Sequence, residues 1–167
     1  MKNLKWLKEG NNYLLKNDET VLVDLAINLT STSTFVIGSN IYKVNKKGFF
    51  SPVYTILHKE EKVLTLSHSF WGSEGRIVFN DGSVYACNYK NKGGLKIRFM
   101  DGEHEILTYG RIMENKKSVP YFSIGISMID ADKLLVLAAL GSIMLHCLFS
   151  ENSVGDEAST LLIMTAS

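Results

Sequence analysis

A chain of 167 residues with 46% hydrophobic and 21% charged side chains, 13 Gly and only 2 Pro has the make-up of one ordinary globular domain, which excludes extended disorder. At this length folding hides roughly 70% of the surface of the unfolded chain, so a core can form without disulfides or a structural metal. Eighteen Lys plus Arg against 17 Asp plus Glu leave a formal charge of +1, which argues against a protein built to hold duplex nucleic acid, although local basic patches stay open.

The amino terminus, Met1 to Glu9, carries charge but is followed by no apolar run of the roughly 7 to 15 residues that a secretory signal needs, so a non-exported, cytoplasmic protein is expected. Cys87 and Cys147 stand far apart with no metal-ligand spacing around them and read as reduced, apolar thiols. Up to residue 130 short alternating segments are separated by turn residues, the pattern of a mainly antiparallel sheet. Asn12 to Lys16, Thr20 to Ile27 and Asn40 to Asn45 read as strands, and Val53 to His58 is expected to pair with Val63 to Phe70 through Lys59-Glu60-Glu61-Lys62.

Two hairpins carry explicit register expectations. Asp81-Gly82 between Arg76-Ile77-Val78-Phe79 and Val84-Tyr85-Ala86-Cys87 favours a two-residue turn, placing Phe79 opposite Val84 and Ile77 opposite Ala86 on one face, with Arg76, Val78, Tyr85 and Cys87 on the other. Asp101-Gly102 repeats the device, pairing Phe99 with His104, Ile97 with Ile106 and Leu95 with Thr108 inside, and Arg98 with Glu105 outside. Phe122, Ile124, Ile126 and Met128 then alternate with small residues in a last strand before the most unusual segment.

That segment, Leu134 to Phe149, reads LLVLAALGSIMLHCLF and has no polar stripe. As a helix it would extend about 24 Å, short of the ~30 Å hydrocarbon core of a bilayer, and Asp130, Asp132, Lys133 and Glu151 bracket it. Asp130 or Asp132 can cap its start, and Gly141 is a tolerated weak point. A helix that is apolar all round must be enclosed, and a curved antiparallel sheet offers a wall on every side. The expected fold is therefore mainly β, a closed antiparallel β-barrel around a central hydrophobic C-terminal α-helix at about 131–149. Residues 1–150 form the barrel domain, and residues 151–167 form a tail that adds a strand or stays mobile. The competing reading takes Leu134 to Phe149 as a short membrane segment.

Ser127 to Glu151 (SMIDADKLLVLAALGSIMLHCLFSE), preceded by Ile41-Tyr42-Lys43-Val44, Lys47-Gly48-Phe49 and Asp81-Gly82-Ser83-Val84-Tyr85 in that order, resembles the tubby C-terminal-like superfamily, which includes phospholipid scramblases and LURP-one-related proteins. The likeness spans about residues 10 to 150 and implies a barrel of about twelve strands around the terminal helix. It also implies binding of phosphoinositide-like headgroups through basic side chains. Asp130-Ala131-Asp132 begins a calcium-loop pattern that Lys133-Leu134-Leu135-Val136 abandons, so neither calcium binding nor lipid scrambling is carried over.

No sequence feature marks an enzyme. His58 and His68 fall opposite Val63 and Val53, roughly 17 Å apart at strand rise, too far to share a metal. His104 sits at a hairpin end and His146 within the apolar helix. No G-x-S-x-G elbow is present, and Gly93-Gly94 lacks the Lys-Ser/Thr of a phosphate loop. A small hydrolase would need a histidine and a carboxylate brought into one concave site. The remaining candidate is a basic surface of Lys90, Lys92, Lys96 and Arg98, with Arg76 outward near Tyr85 and Tyr89. It suits an anionic phospholipid, a small anionic ligand or a partner protein, with peripheral membrane contact. No cofactor, metal or catalytic residue is expected.

Overall fold

Alternating side chains and closely spaced turns produce twelve strands in succession: β1 (Leu4–Glu9), β2 (Asn12–Asn17), β3 (Thr20–Ala26), β4 (Ser33–Ile37), β5 (Asn40–Lys47), β6 (Val53–His58), β7 (Glu61–His68), β8 (Glu74–Phe79), β9 (Val84–Lys90), β10 (Lys96–Asp101), β11 (His104–Glu114) and β12 (Lys117–Ile124). Helix α1 (Ala131–Asn152) and a two-residue strand β13 (Met164–Thr165) follow. The computed structural model describes residues 4–28, 32–48, 51–68, 74–90, 95–114, 117–125, 128–152 and 164–165.

All strands join one antiparallel sheet in which spatial order follows chain order from β12 to β1, with β13 added beside β1. The expected closed barrel is corrected to this extent: among the described residues no hydrogen-bonded pairing joins β12 to the other edge of the sheet. Strand β13 pairs with Lys5 and Trp6 of β1 and also lies near β12, but its two residues are too few for a ladder on both sides.

Because each strand turns back beside its predecessor, successive turns alternate between two ends of the sheet. The β2–β3, β4–β5, β6–β7, β8–β9 and β10–β11 turns share the end where the helix starts, since Lys133 reaches Asp81 in the β8–β9 turn. The other turns share the end where the helix finishes, since the His146 ring meets Tyr13, just after the β1–β2 turn, at 4.5 Å. These are termed the helix-entry and helix-exit ends.

Asp130 is the cap: its Oδ1 accepts from the Asp132 and Lys133 amides at 2.9 and 3.3 Å. From Leu134 to Leu145 every helical residue is buried, and more than three turns without an exposed position leave no face to solvent. The helix packs on β3 and β4 and also on β10 and β11. Since β4 and β10 stand six places apart in the sheet order (10 − 4), the sheet curves around it. Its stretch Ala131–Leu148 is long and apolar enough to cross a membrane by length and composition.

Inside, the Trp6 Nε1–H donates to the Tyr109 hydroxyl at 3.1 Å, and that hydroxyl donates to the Ala138 carbonyl of the helix at 2.7 Å. At Gly141, expected as a weak point, the helix lies close against the sheet: a Cβ there would stand 2.4 Å from the Tyr109 ring and 2.9 Å from Phe99.

Three hairpin registers differ from expectation. At β8–β9 the loop has three residues, Asn80-Asp81-Gly82, with Gly82 at φ 86° and Asp81 Oδ1 accepting from the Ser83 amide and hydroxyl, so Val78 faces Val84 and Ile77 faces Tyr85. One residue of slip turns Tyr85, Cys87 and Tyr89 to the core side, away from Arg76. At β10–β11 the turn is Gly102-Glu103, so His104 faces Asp101 and Glu105 faces Met100. A bulge then puts Phe99 opposite Leu107, Arg98 opposite Thr108 and Ile97 opposite Tyr109. At β6–β7 Lys59-Glu60 alone makes the turn, both at positive φ, and His58 faces Glu61.

Candidate functional site

Alternation along β8 and β10 fixes where the predicted cations lie. Ile77 and Phe79 point into the core, as do Ile97 and Phe99, so Arg76, Lys96 and Arg98 take the opposite face of the sheet. Lys96 faces Lys90 across the β9–β10 ladder, Arg98 faces Asn88, and Arg76 faces Ala86 on β8–β9. The structure thus brings Lys90, Lys96 and Arg98 onto neighbouring strands, with Arg76 one strand further. All four lie toward the helix-exit end, next to the β7–β8 and β9–β10 turns. Lys92 lies outside the described residues.

The corrected register changes what surrounds Arg98. The expected Glu105 is replaced by Thr108 on one side and Asn88 on the other. Arg98 Nε, Thr108 Oγ1 and Asn88 Oδ1 are all buried without a hydrogen-bond partner among the described residues, and Thr108 is 0% exposed although it is on the sheet face away from the helix. Three adjacent, unsatisfied polar groups form a row across β9, β10 and β11, and no ion pair engages Arg98 among the described residues.

Charge is segregated along the molecule. The helix-entry end carries Asp18, Glu19, Glu60, Asp81, Glu103, Asp130 and Asp132 on its turns and helix start, against Lys59 and Lys133. Lys133 meets Asp81 at 2.5 Å; that bond and those from Ser83 hold the Asp81 carboxyl well below the usual carboxylate range. Toward the helix-exit end lie Lys46, Lys47, Arg76, Lys90 and Lys96, together with Glu9 and Glu74. The chain's net charge of +1 hides an acidic excess at the helix-entry end and a basic excess at the helix-exit end.

A second polar cluster was not visible as such in the sequence. His68, at the end of β7, faces Gly75 and bonds both the Pro52 carbonyl and the Tyr89 hydroxyl. The same hydroxyl meets the Cys87 thiol, which burial pushes up to about 12, far from a reactive thiolate at neutral pH. Cys87 and Cys147 are both free and buried. His58, His104 and His146 are dispersed; His146 Nδ1 donates to the Ser142 carbonyl at 2.7 Å within its own helix. Among the described residues no three metal-ligating side chains come together.

The chain matches no family model, no curated protein and no solved structure.

Proposed function

We propose that this chain is a non-catalytic, tubby-like barrel that binds an anionic group, a phospholipid headgroup or a small anionic ligand, at its helix-exit end. Arg76, Lys90, Lys92, Lys96 and Arg98 supply the charge, with no metal or cofactor, and the protein works in the cytoplasm with peripheral membrane contact. In this reading the curved sheet is functionally a closed wall around α1, with β13 bridging its two edges. The observation that carries the binding role is the row Asn88–Arg98–Thr108: a guanidinium with no carboxylate opposite it, between polar atoms that lack partners. An unsatisfied buried polar atom costs about 1–3 kcal/mol, so a ligand oxygen accepting from Arg98 Nε and Thr108 Oγ1 is favoured by more than long-range charge, while Asn88 Oδ1 calls for a donor.

Sedimentation with vesicles of anionic and of neutral lipid tests it. Binding is expected to the anionic vesicles alone. Near a membrane surface each Lys or Arg is worth about 1 kcal/mol, so Lys96→Ala with Arg98→Ala should weaken binding about 30-fold at low salt and less at high salt. Equal and negligible sedimentation with both vesicle types overturns the headgroup reading. Lysis without detergent addresses the rival membrane-segment reading: recovery of the chain in the supernatant supports the enclosed helix, and release by detergent alone supports the anchor.

A further inference from the structure

His68 is held by a seat that involves four elements. Directly across the β7–β8 ladder is Gly75, where a Cβ would lie 2.8 Å from ring Cδ2 and 2.9 Å from Nε2, so only glycine leaves the imidazole its place. Tyr54 of β6 stands edge-on to the ring at 6.4 Å, and the Tyr89 ring of β9 is tilted against it at 4.9 Å. Nδ1 lies 2.7 Å from the Pro52 carbonyl in the β5–β6 connection, and Nε2 lies 2.6 Å from the Tyr89 hydroxyl.

The atoms decide the proton positions. A carbonyl can only accept, so Nδ1 carries the hydrogen, and in the neutral ring Nε2 must then accept from the Tyr89 O–H. With its hydrogen committed to His68, that hydroxyl has none to give to the neighbouring Cys87 sulfur. The groups facing the ring are thus the Pro52 carbonyl, Tyr54, Gly75 and Tyr89, with Cys87 and, from α1, Cys147 beside Tyr89. Among the described residues no carboxylate faces it.

We propose that His68 is a proton-operated latch between the β5–β6 connection, β7 and β9, shut when the ring is neutral and released when it is protonated. Protonation puts a hydrogen on Nε2, which then cannot accept, so the Tyr89 O–H must turn away, toward the Cys87 sulfur, and its bond to His68 is lost. The same proton places a positive charge at the helix-exit end, one residue along the ladder from Arg76, which faces Ser67, but on the core side of the sheet. Acid therefore loosens this end and makes it more basic. The second effect rests on the anionic-ligand reading above and predicts tighter docking on anionic lipid at low pH. Burial is the larger influence on the ring and lowers its pKa, against a smaller opposing effect of the Pro52 bond. The sign follows: the unfolded ring, near 6.5, binds protons before the folded one, so stability is full above about pH 6.5 and falls as pH drops toward the lower folded value.

Long-range nitrogen–proton NMR of the full chain, with and without vesicles containing phosphatidylserine, tests both halves. At pH 7.5 His68 should show the Nδ1–H tautomer and should titrate below 6.5. Tyr89→Phe removes the donor that favours the neutral ring and should raise that midpoint, a shift that loss of packing alone would not produce. An Nε2–H tautomer, or a midpoint that Tyr89→Phe leaves in place, overturns the latch. Binding to the vesicles should strengthen by up to about fivefold once the pH falls from 7.5 to below the midpoint measured for His68, the worth of one added charge at a lipid surface. That gain should vanish in His68→Gln and survive in His146→Gln, which controls for the other histidine at this end. A gain that persists in His68→Gln overturns the coupling to docking. No vesicle binding at either pH removes the docking reading instead, and the tautomer and midpoint still decide the latch.

Discussion

A single missing Cβ decides how near the helix approaches the wall. In an exposed helix, Gly to Ala gains about 1 kcal/mol, because alanine loses less backbone freedom. At Gly141 the added methyl would meet the Tyr109 ring at 2.4 Å, in a position where that ring is already tied to Trp6 and to the Ala138 carbonyl. Overpacking of this kind costs about 1–3 kcal/mol, and the ring cannot swing aside without leaving the Trp6 N–H buried and unpaired. Gly141→Ala should therefore destabilise the protein by about 1–2 kcal/mol, read as a lower urea midpoint at unchanged slope. A midpoint that rises would mean the helix can retreat from β11, and the close approach would lose its structural role.

Between elements, the turns were legible as turns but not always in their length. Strands show themselves because inward and outward residues alternate, and that pattern survives any register. Which residue faces which depends on a single position: Asn80-Asp81-Gly82 forms a three-residue loop because Asp81 satisfies the Ser83 amide and hydroxyl, a local bond that outweighs the two-residue preference of Asp-Gly. The bulge between Phe99 and Met100 sits on a strand pair that packs on the helix, a tertiary setting no local window contains. For this reason the basic residues Arg76, Lys96 and Arg98 could be placed on the outer face from alternation alone. The absence of a carboxylate opposite Arg98, and the glycine seat of His68, required the assembled sheet. The β6–β7 turn carries its own test. Lys59 and Glu60 both sit at positive φ (49° and 65°), which side chains other than Gly, Asn and Asp adopt at a cost. Replacing them with Asn-Gly should stabilise the hairpin by about 1 kcal/mol. The lost Lys43–Glu60 pair, 51% and 74% exposed, is worth less than that. A lower urea midpoint in this variant would show that the pair, not the backbone, dominates the turn.

At the scale of the whole molecule, the apolar helix and the curved sheet each explain the other. Exposing Leu, Val or Ile side chains costs roughly 1.5–3 kcal/mol apiece, so a few of the residues from Leu134 to Leu145 would consume a typical stability of about 5–15 kcal/mol if they faced water. Phe35, Phe99, Phe122 and Trp6, all fully buried, belong to the same core as these helix residues. What the helix does not provide is closure, because a sheet with two ends presents unpaired amides and carbonyls that invite another strand. Strand β13 occupies that position beside Lys5 and Trp6 of β1 while lying near β12. Removing Met164 to Ser167 should therefore leave the helix enclosed, with near-native circular dichroism, but free the backbone edge of β1. The shortened chain is then expected to dimerise in a concentration-dependent way in sedimentation velocity while the full chain stays monomeric. A truncated protein that remains a monomer with an unchanged urea midpoint would show that β1 and β12 protect each other without it, and that the wall holds through packing on the helix alone.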